Sequence, residues 1–287
     1  MENTKPDWIK TNLKDSETAK HVRQALQGLD LNTICVEGRC PNIGTCFNHG
    51  TATFLVMGSV CTRHCLYCNV EGGIPMPLDS NEPKRVAQAV KRLNLKYVVL
   101  TSVTRDDLRD GGSSFFRSIV EEVKMENPQT KVEALIPDFN KNKSNWDKFI
   151  TPSVDVVAHN VEVVRNMFPK LRPKGDLDVS LEMLKFYKSM GFTTKTGFMV
   201  GVGETMEDIA RLLEEIAKTG ADIVTVGQYL QPSKKHWPVS KYYTPKEFAD
   251  ISNMAKEVGI PITIAGPLVR SSYMADDSFQ QLQAQSQ

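Results

Sequence analysis

All six cysteines of this 287-residue chain lie between Cys35 and Cys68, and they fall into two unfinished triads. Cys61-Thr-Arg-His-Cys65-Leu-Tyr-Cys68 is a C-x3-C-x2-C loop. Three thiolates this close in sequence can take three irons of a cubane cluster, leaving the fourth iron open to a substrate or cofactor. Structural zinc is the competing use. It wants four ligands, usually in paired C-x2-4-C knuckles, and His64 sits inside the loop where it cannot readily reach around to complete such a set. Upstream, Cys35-Val-Glu-Gly-Arg-Cys40-Pro-Asn-Ile-Gly-Thr-Cys46 is C-x4-C-x5-C, with gaps long for a zinc knuckle and again three thiolates. Disulfides suit small secreted scaffolds without a core of their own, whereas cysteines confined to one stretch of a long chain read as a metal site. An apolar run at 53–57 separates the triads, so two clusters, each needing one ligand that is not cysteine, account for them better than a single six-cysteine site.

The elements that must position these loops follow a rhythm that begins at Thr53. Short β-branched runs at 53–57, 96–101, 131–136, 154–158, 194–200 and 222–227 alternate with amphipathic stretches at 82–93, 113–126, 144–150, 180–190, 205–219 and 245–258, the βα signature. A shorter run at 261–265 offers a seventh strand. Pro83 and Pro245 sit where a first-turn proline is tolerated, and Gly191, Gly220 and Gly259 follow helices as C-caps do. The runs are apolar on both faces, as in a parallel sheet covered by helices. Right-handed crossovers would curl it into a partial (β/α)6 barrel, with a doubly wound sheet as the rival. In either fold the chemistry belongs at the carboxyl ends of the strands. Before the barrel, 15–29 reads as a helix with Asp15 or Ser16 as N-cap, and the segment to His49 as a metal-organised loop. The tail from Asp276, rich in glutamine, reads as disordered. The expected division is an N-terminal extension over 1–50, a barrel over 51–265 and a C-terminal extension over 266–287.

Lysine plus arginine total 35 and aspartate plus glutamate 34. That near-balance gives no electrostatic footprint for nucleic acid or an anionic membrane. The N-terminus has no basic region followed by an apolar stretch, and no run of about 18 apolar residues occurs, so a soluble, cytoplasmic protein is expected.

At the cysteine motifs the sequence resembles the radical S-adenosylmethionine superfamily, and within it the sulfur-inserting members. The likeness runs through Cys35–Gly73, Thr101-Ser102-Val103-Thr104-Arg105-Asp106-Asp107-Leu108, His159-Asn160-Val161-Glu162 and Lys195–Thr205. Gly227–Ser233 and Arg270-Ser271-Ser272-Tyr273 continue it, and Lys5-Pro6-Asp7-Trp8-Ile9 looks like the family's N-terminal arm. The resemblance implies that Cys61, Cys65 and Cys68 hold a [4Fe-4S] cluster whose open iron takes S-adenosylmethionine. It implies that Cys35, Cys40 and Cys46 hold an auxiliary [4Fe-4S] cluster, with Ser272, preferred over Ser271, as fourth ligand and sulfur-releasing corner. A hydroxyl oxygen is a harder, poorer partner than thiolate for such a centre.

Implied cofactor contacts are Thr101 and Ser102 at one strand end, Asn160 and Glu162 toward ribose hydroxyls, Tyr67 beside the adenine, and Gly201 and Gly203 for close backbone approach. Taken singly, Gly-Val-Gly is an ordinary turn and Tyr67 a packed aromatic. Arg105, Asp106, Asp107 and Asp110 form either a solvated charged turn or a substrate-positioning one, and Lys234-Lys235-His236 reads as a solvated loop, with carrier docking as the sharper alternative. The implied reaction inserts two sulfur atoms, at C6 and C8, into an octanoyl group on a lysine of a lipoyl carrier domain. The implied partners are the E2 subunits of 2-oxoacid dehydrogenases and the H protein of glycine cleavage. A ferredoxin or flavodoxin would supply electrons, and an iron-sulfur carrier would repair the cluster. The alternatives are another sulfur-inserting radical enzyme acting on a free small molecule or RNA, and a zinc-stapled α/β binding protein without turnover.

Overall fold

The computed structural model describes residues 5–9, 16–49 and 52–285, which gather into two compact units. The N-unit, 16–63 and 69–157 apart from 50 and 51, contains α1 (Glu17–Gln27), β1 (Asn32–Thr33), α2 (Ile34–Glu37), α3 (Ile43–Asn48), β2 (Thr53–Val56), β3 (Val60–Cys61) and β4 (Glu71–Gly72). It continues with α4 (Glu82–Arg92), β5 (Tyr97–Ser102), α5 (Ser113–Glu126), β6 (Lys131–Leu135), α6 (Lys143–Phe149) and β7 (Val156–Ala158). The C-unit, 5–9, 64–68 and 158–285, contains α7 (Phe168–Leu171), α8 (Leu177–Ser189), β8 (Thr193–Val200), α9 (Met206–Ala217), β9 (Ile223–Gln228), α10 (Pro245–Glu257), β10 (Ile262–Gly266) and α11 (Ala275–Gln285).

Within the N-unit the strands run in the order β1-β2-β5-β6-β7. β2–β5 and β5–β6 are parallel, and β1 is an antiparallel edge. The C-unit carries β8-β9-β10, all parallel. In neither unit does the strand order reverse, as a doubly wound sheet must at its switch point. Each parallel strand is added beside its predecessor, the winding expected of a barrel, and β10 supplies the seventh strand that the run at 261–265 suggested.

The helix spacing explains how the strands are covered. α9 buries Ile209, Leu212, Leu213 and Ile216 on one stripe and is closed at its start by a Thr205–Asp208 capping box; such a cap contributes about 1 kcal/mol. α10 repeats the device with Thr244 and Glu247. Gly191, Gly220 and Gly259 each follow a helix with φ of 86°, 76° and 88°, the left-handed stop that glycine adopts without steric cost.

Four expectations need correction or qualification. The segment up to His49 is not all loop: Thr33 caps α2 through the Val36 N–H, and α3 follows after the turn at 38–42. α8 begins before 180 because the Asp176 carboxylate accepts from the N–H groups of Asp178 and Val179. The glutamine-rich tail is helical, since Ala275, Ser278 and Phe279 form a buried stripe that packs on β10. Ser16 caps α1, its hydroxyl accepting from Ala19 N–H, while Asp15 lies outside the described residues.

Candidate functional site

In the N-unit the Cys61 corner hangs from two neighbours. Gly73 N–H donates to Cys61 O at 2.9 Å, and Thr62 N–H to Thr104 O at 3.1 Å. The Thr62 hydroxyl donates to Thr104 O at 3.0 Å and accepts from Asp106 N–H at 3.0 Å. The Thr101–Leu108 segment therefore fastens the cysteine loop, which its sequence alone does not reveal. Arg105 is not in a solvated turn: it is 2% exposed and donates to Met57 O and to the Asp107 carboxylate. Asp110 accepts from Gly112 and Ser114 N–H at the start of α5. At the end of β5 the Thr101 hydroxyl is spent on Leu135 O at 3.0 Å, whereas the buried Ser102 Oγ has no protein partner.

The other triad lies on α2, the turn after it, and α3. Cys40 N–H donates to Cys35 O at 3.0 Å, and Cys46 N–H to Asn42 O at 2.8 Å. Burial pushes the Cys35 thiol up to about 11, with the neighbouring Cys40 adding to it and a hydrogen bond with Thr53 opposing it. Asn69 donates its amide to Glu37 O at 2.8 Å, bracing the C-terminal end of α2.

In the C-unit the segment 64–68 is held by backbone on both sides. Leu66 N–H donates to Leu171 O, and Trp237 N–H to Leu66 O, each at 2.9 Å. His236 Nε2 lies 3.1 Å from Cys68 O, and Nδ1 lies 2.9 Å from Ser233 Oγ. A carbonyl only accepts, so Nε2 carries the proton and Nδ1 takes the serine hydroxyl. His236 thus leaves the solvated-loop reading: it braces a cysteine. Tyr67 is enclosed at its hydroxyl, where burial first, then the Glu162 carboxylate and Cys65, push the phenol well above its ordinary range.

Glu162 has φ 68°, a conformation uncommon outside glycine that often marks a constrained functional position. Its N–H donates to Gly197 O and its O accepts from Met199 N–H, so it is locked to β8. Burial raises its carboxyl, while Arg172 and then the Asn160 amide oppose that rise. Asn160 Oδ1 is buried with no protein partner. Gly197 leaves room for it, because an added Cβ would lie 3.1 Å from that oxygen and 2.4 Å from Thr225 Oγ1.

The Gly201-Val202-Gly203 turn is occupied by the chain itself. The Glu204 carboxylate accepts from all three N–H groups at 2.6, 2.9 and 3.0 Å. At Gly201, φ 98°, an added Cβ would fall 2.1 Å from Gln228 Nε2, so the close approach there is to Gln228. Gln228, at the end of β9, spends its amide on the Val200, Tyr229 and Lys241 carbonyls and on Tyr243 N–H. Ser271 and Ser272 share a turn closed by Tyr273 N–H to Arg270 O at 3.0 Å. That turn is seated on Gly227, where an added Cβ would stand 2.0 Å from Val269 O.

None of the six cysteines is in a disulfide. Among the described residues no three His, Cys, Asp or Glu side chains are close enough together to hold a single metal ion. A cubane places each thiolate on a separate iron, a wider arrangement than the tetrahedron around one zinc. The donor chemistry fits two sulfur-rich clusters; the unpartnered Ser102 Oγ of the N-unit and, separately, the unpartnered Asn160 Oδ1 of the C-unit are each buried polar atoms of the kind a ligand group satisfies.

A family model described as the radical SAM superfamily matches residues 55–216. The lipoyl synthase of Caldicellulosiruptor saccharolyticus is 47% identical over 280 residues, covering 97% of this chain and 98% of that protein. That of Rubrobacter xylanophilus is 43% identical over 275 residues, covering 95% and 86%. Among solved structures, methylornithine synthase superposes with a TM-score of 0.54 at 15% identity over 97% of this chain and 90% of its own. Streptococcus suis SuiB bound to S-adenosylmethionine gives 0.58 at 10% identity over 78% and 53%. These structural likenesses establish the fold.

Proposed function

We infer that this chain, which belongs to the radical S-adenosylmethionine superfamily and within it to the lipoyl synthases, inserts two sulfur atoms into an octanoyl group on a carrier-protein lysine. The observation that carries the reading is the pair of three-cysteine motifs in a chain that is like a lipoyl synthase almost end to end. Cys61, Cys65 and Cys68 would hold one cluster and S-adenosylmethionine, and Cys35, Cys40, Cys46 and Ser272 the other. Bound there, these groups supply the one-electron cleavage of S-adenosylmethionine that starts hydrogen abstraction and the sulfide that is consumed, chemistry beyond any side-chain acid or base.

The chain's own residues bind and orient. Asn160 and Glu162 offer an amide oxygen and a carboxylate beside β8, where the Glu162 backbone is fixed by Gly197 and Met199, Ser102 a free hydroxyl, and Tyr67 a ring face. Thr101, with its hydroxyl already engaged, and Gly201 and Gly203, closed around Glu204, shape the walls. Placement of the acyl carbon within reach of its reactants, away from water, is the protein's largest contribution. The two terminal extensions, 1–50 and 266–287, would serve the auxiliary site and flank a barrel over 51–265. Partners on this reading are octanoylated E2 and H-protein carriers, a ferredoxin or flavodoxin, and an iron-sulfur carrier. A cytoplasmic setting belongs to the same reading; no described helix is long and apolar enough to cross a membrane.

The test is anaerobic incubation with an octanoylated carrier peptide, a reductant and S-adenosylmethionine, followed by mass spectrometry. Conversion to the lipoyl peptide is expected. Zinc without acid-labile sulfide and no mass change would remove the enzyme reading.

A further inference from the structure

Between the first two cysteines of the C-x3-C-x2-C loop stands an arginine that the function above leaves unused. Arg63 is 6% exposed, and its guanidinium meets two carboxylates at once. Nε and Nη2 donate to Asp106 at 2.8 and 2.7 Å, and Nη1 and Nη2 to Asp138 at 2.6 and 2.8 Å. Burial works against the cation, but the hydrogen bonds to Asp106 and Asp138 outweigh it and hold the proton more firmly than usual. The backbone N–H of the same residue points at Cys61 Sγ, 3.4 Å away. One residue therefore carries both a fixed charge cluster and a donor to a sulfur ligand.

The site that aims Asp138 is strained. Phe139, Asn140 and Lys141 have φ of 45°, 62° and 57°, three successive left-handed residues with no glycine, a conformation that side chains adopt only at a cost. The surroundings enforce the conformation. Trp146 Nε1–H donates to Asp138 O at 3.0 Å, Asn145 to Phe139 O at 3.1 Å, and Asn140 to Leu108 O at 2.8 Å. The Phe139 ring lies against Phe149 with centroids 5.8 Å apart. Gly111 admits the turn, since an added Cβ there would stand 2.7 Å from Phe139 Cα. Such strain persists where the surroundings over-determine a position, and here it fixes the carboxylate that grips Arg63.

We propose that the Arg63–Asp106–Asp138 clamp, in which Arg63 and Asp138 are buried and Asp106 faces solvent, is a positioning device that fixes the Arg63 N–H on the Cys61 sulfur and sets the reduction potential of the cluster at that cysteine. The proposal rests on the reading of Cys61 as a cluster ligand. The physical basis is that cluster potentials follow local charge, hydrogen bonds to sulfur and burial. An added electron is stabilised by a nearby cation and an N–H donor and opposed by nearby carboxylates, and in a buried setting salt screens these terms little.

The test uses the full chain with Cys40→Ala and Cys46→Ala, so that the reduced cluster signal belongs to the Cys61 loop, and reads the midpoint potential by spectroscopically monitored titration. Iron and sulfide are counted in every variant. Asp138→Asn removes an anion while Asp106 keeps its hold, and should move the midpoint to less negative values. Arg63→Met removes the cation and should move it to more negative values. Arg63→Lys keeps the charge and should lie between the parent and Arg63→Met. Opposite signs for Asp138→Asn and Arg63→Met are the expected result, because loss of mere structural support would move both the same way. Should Arg63→Met fail to load, an unchanged or more negative midpoint in Asp138→Asn overturns the proposal. A parent protein that takes up no cluster at all would instead overturn the functional reading beneath it.

Discussion

The two cysteine segments are held by different means. The loop after β3 is fastened by polar contacts to rigid neighbours: Thr62 to Thr104, Arg63 to the buried Asp138 and the more exposed Asp106, and Leu66 to Leu171. The segment 34–48 consists of helices of four and six residues, lengths at which a helix has little stability of its own. Its supports include one threonine cap, the Asn69 amide on Glu37 O, the hydrogen bond between Cys35 and Thr53, the Arg23 guanidinium 5.1 Å above the Phe47 ring, and Asn48 accepting from Ser16 N–H at 2.9 Å. Cys35 is buried and reluctant to ionise. A cluster retained through every cycle is served by the first arrangement. A cluster consumed as a reagent needs a cradle that can release and rebuild it, which suits the second.

The largest effects should come from the cysteines themselves. Cys68→Ala should lower formation of deoxyadenosine and methionine by at least about a hundredfold, since losing a ligand exceeds the ~10–100-fold cost of losing an outer partner. Cys40→Ala should spare that cleavage while stopping sulfur insertion, as chromatography of both products would show. Equal loss of cleavage in the two variants would erase the division between the segments.

Next comes the seat of the serine turn. Gly227→Ala places a methyl 2.0 Å from Val269 O and should destabilise the protein by about 1–3 kcal/mol in denaturant titration. It should also depress sulfur insertion more than S-adenosylmethionine cleavage. Removing both clusters with a chelator under oxidising conditions should raise amide exchange across 34–48 by about tenfold or more. Exchange at Thr62, whose N–H is held by Thr104 O, should change little. Equal deprotection of both segments would contradict the contrast. The smallest effect is expected for Thr33→Ala, which removes the 3.4 Å cap on Val36 N–H at a cost of about 0.5–1 kcal/mol in thermal unfolding.

Much of this architecture was legible in the sequence because it is governed by local periodicity. The strand runs and the prolines and glycines of the helix ends fall within a few residues of the observed elements, and β10 was visible as a weak seventh run. The cysteine spacing likewise declared two incomplete ligand sets. The misreadings share a cause. α2, α3 and α11 are short or polar, and their helicity follows from a cap or a three-residue buried stripe that composition masks. The supports of the site were illegible because each joins residues distant in sequence: Arg63 to Asp138, His236 to Cys68, and Gln228 to Lys241. For Arg105 a solvated turn was one of two readings because charge is normally exposed, and only its contact with the distant Met57 carbonyl and its burial reverse that expectation; Asp106 does stay exposed. Glu204 escaped notice for a related reason, since the three N–H groups that its carboxylate occupies belong to a turn whose glycines were read as room for a cofactor's approach.

The central claim, one retained cluster and one consumed, is tested most directly by isotope. The protein is reconstituted anaerobically with heavy sulfide and given octanoylated carrier peptide and S-adenosylmethionine for a single turnover, and the product is weighed by mass spectrometry. The account predicts that both inserted sulfurs are heavy, with iron and sulfide lost from one cluster and the other left intact. Unlabelled product, or full conversion by protein that holds a single cluster throughout, would contradict it.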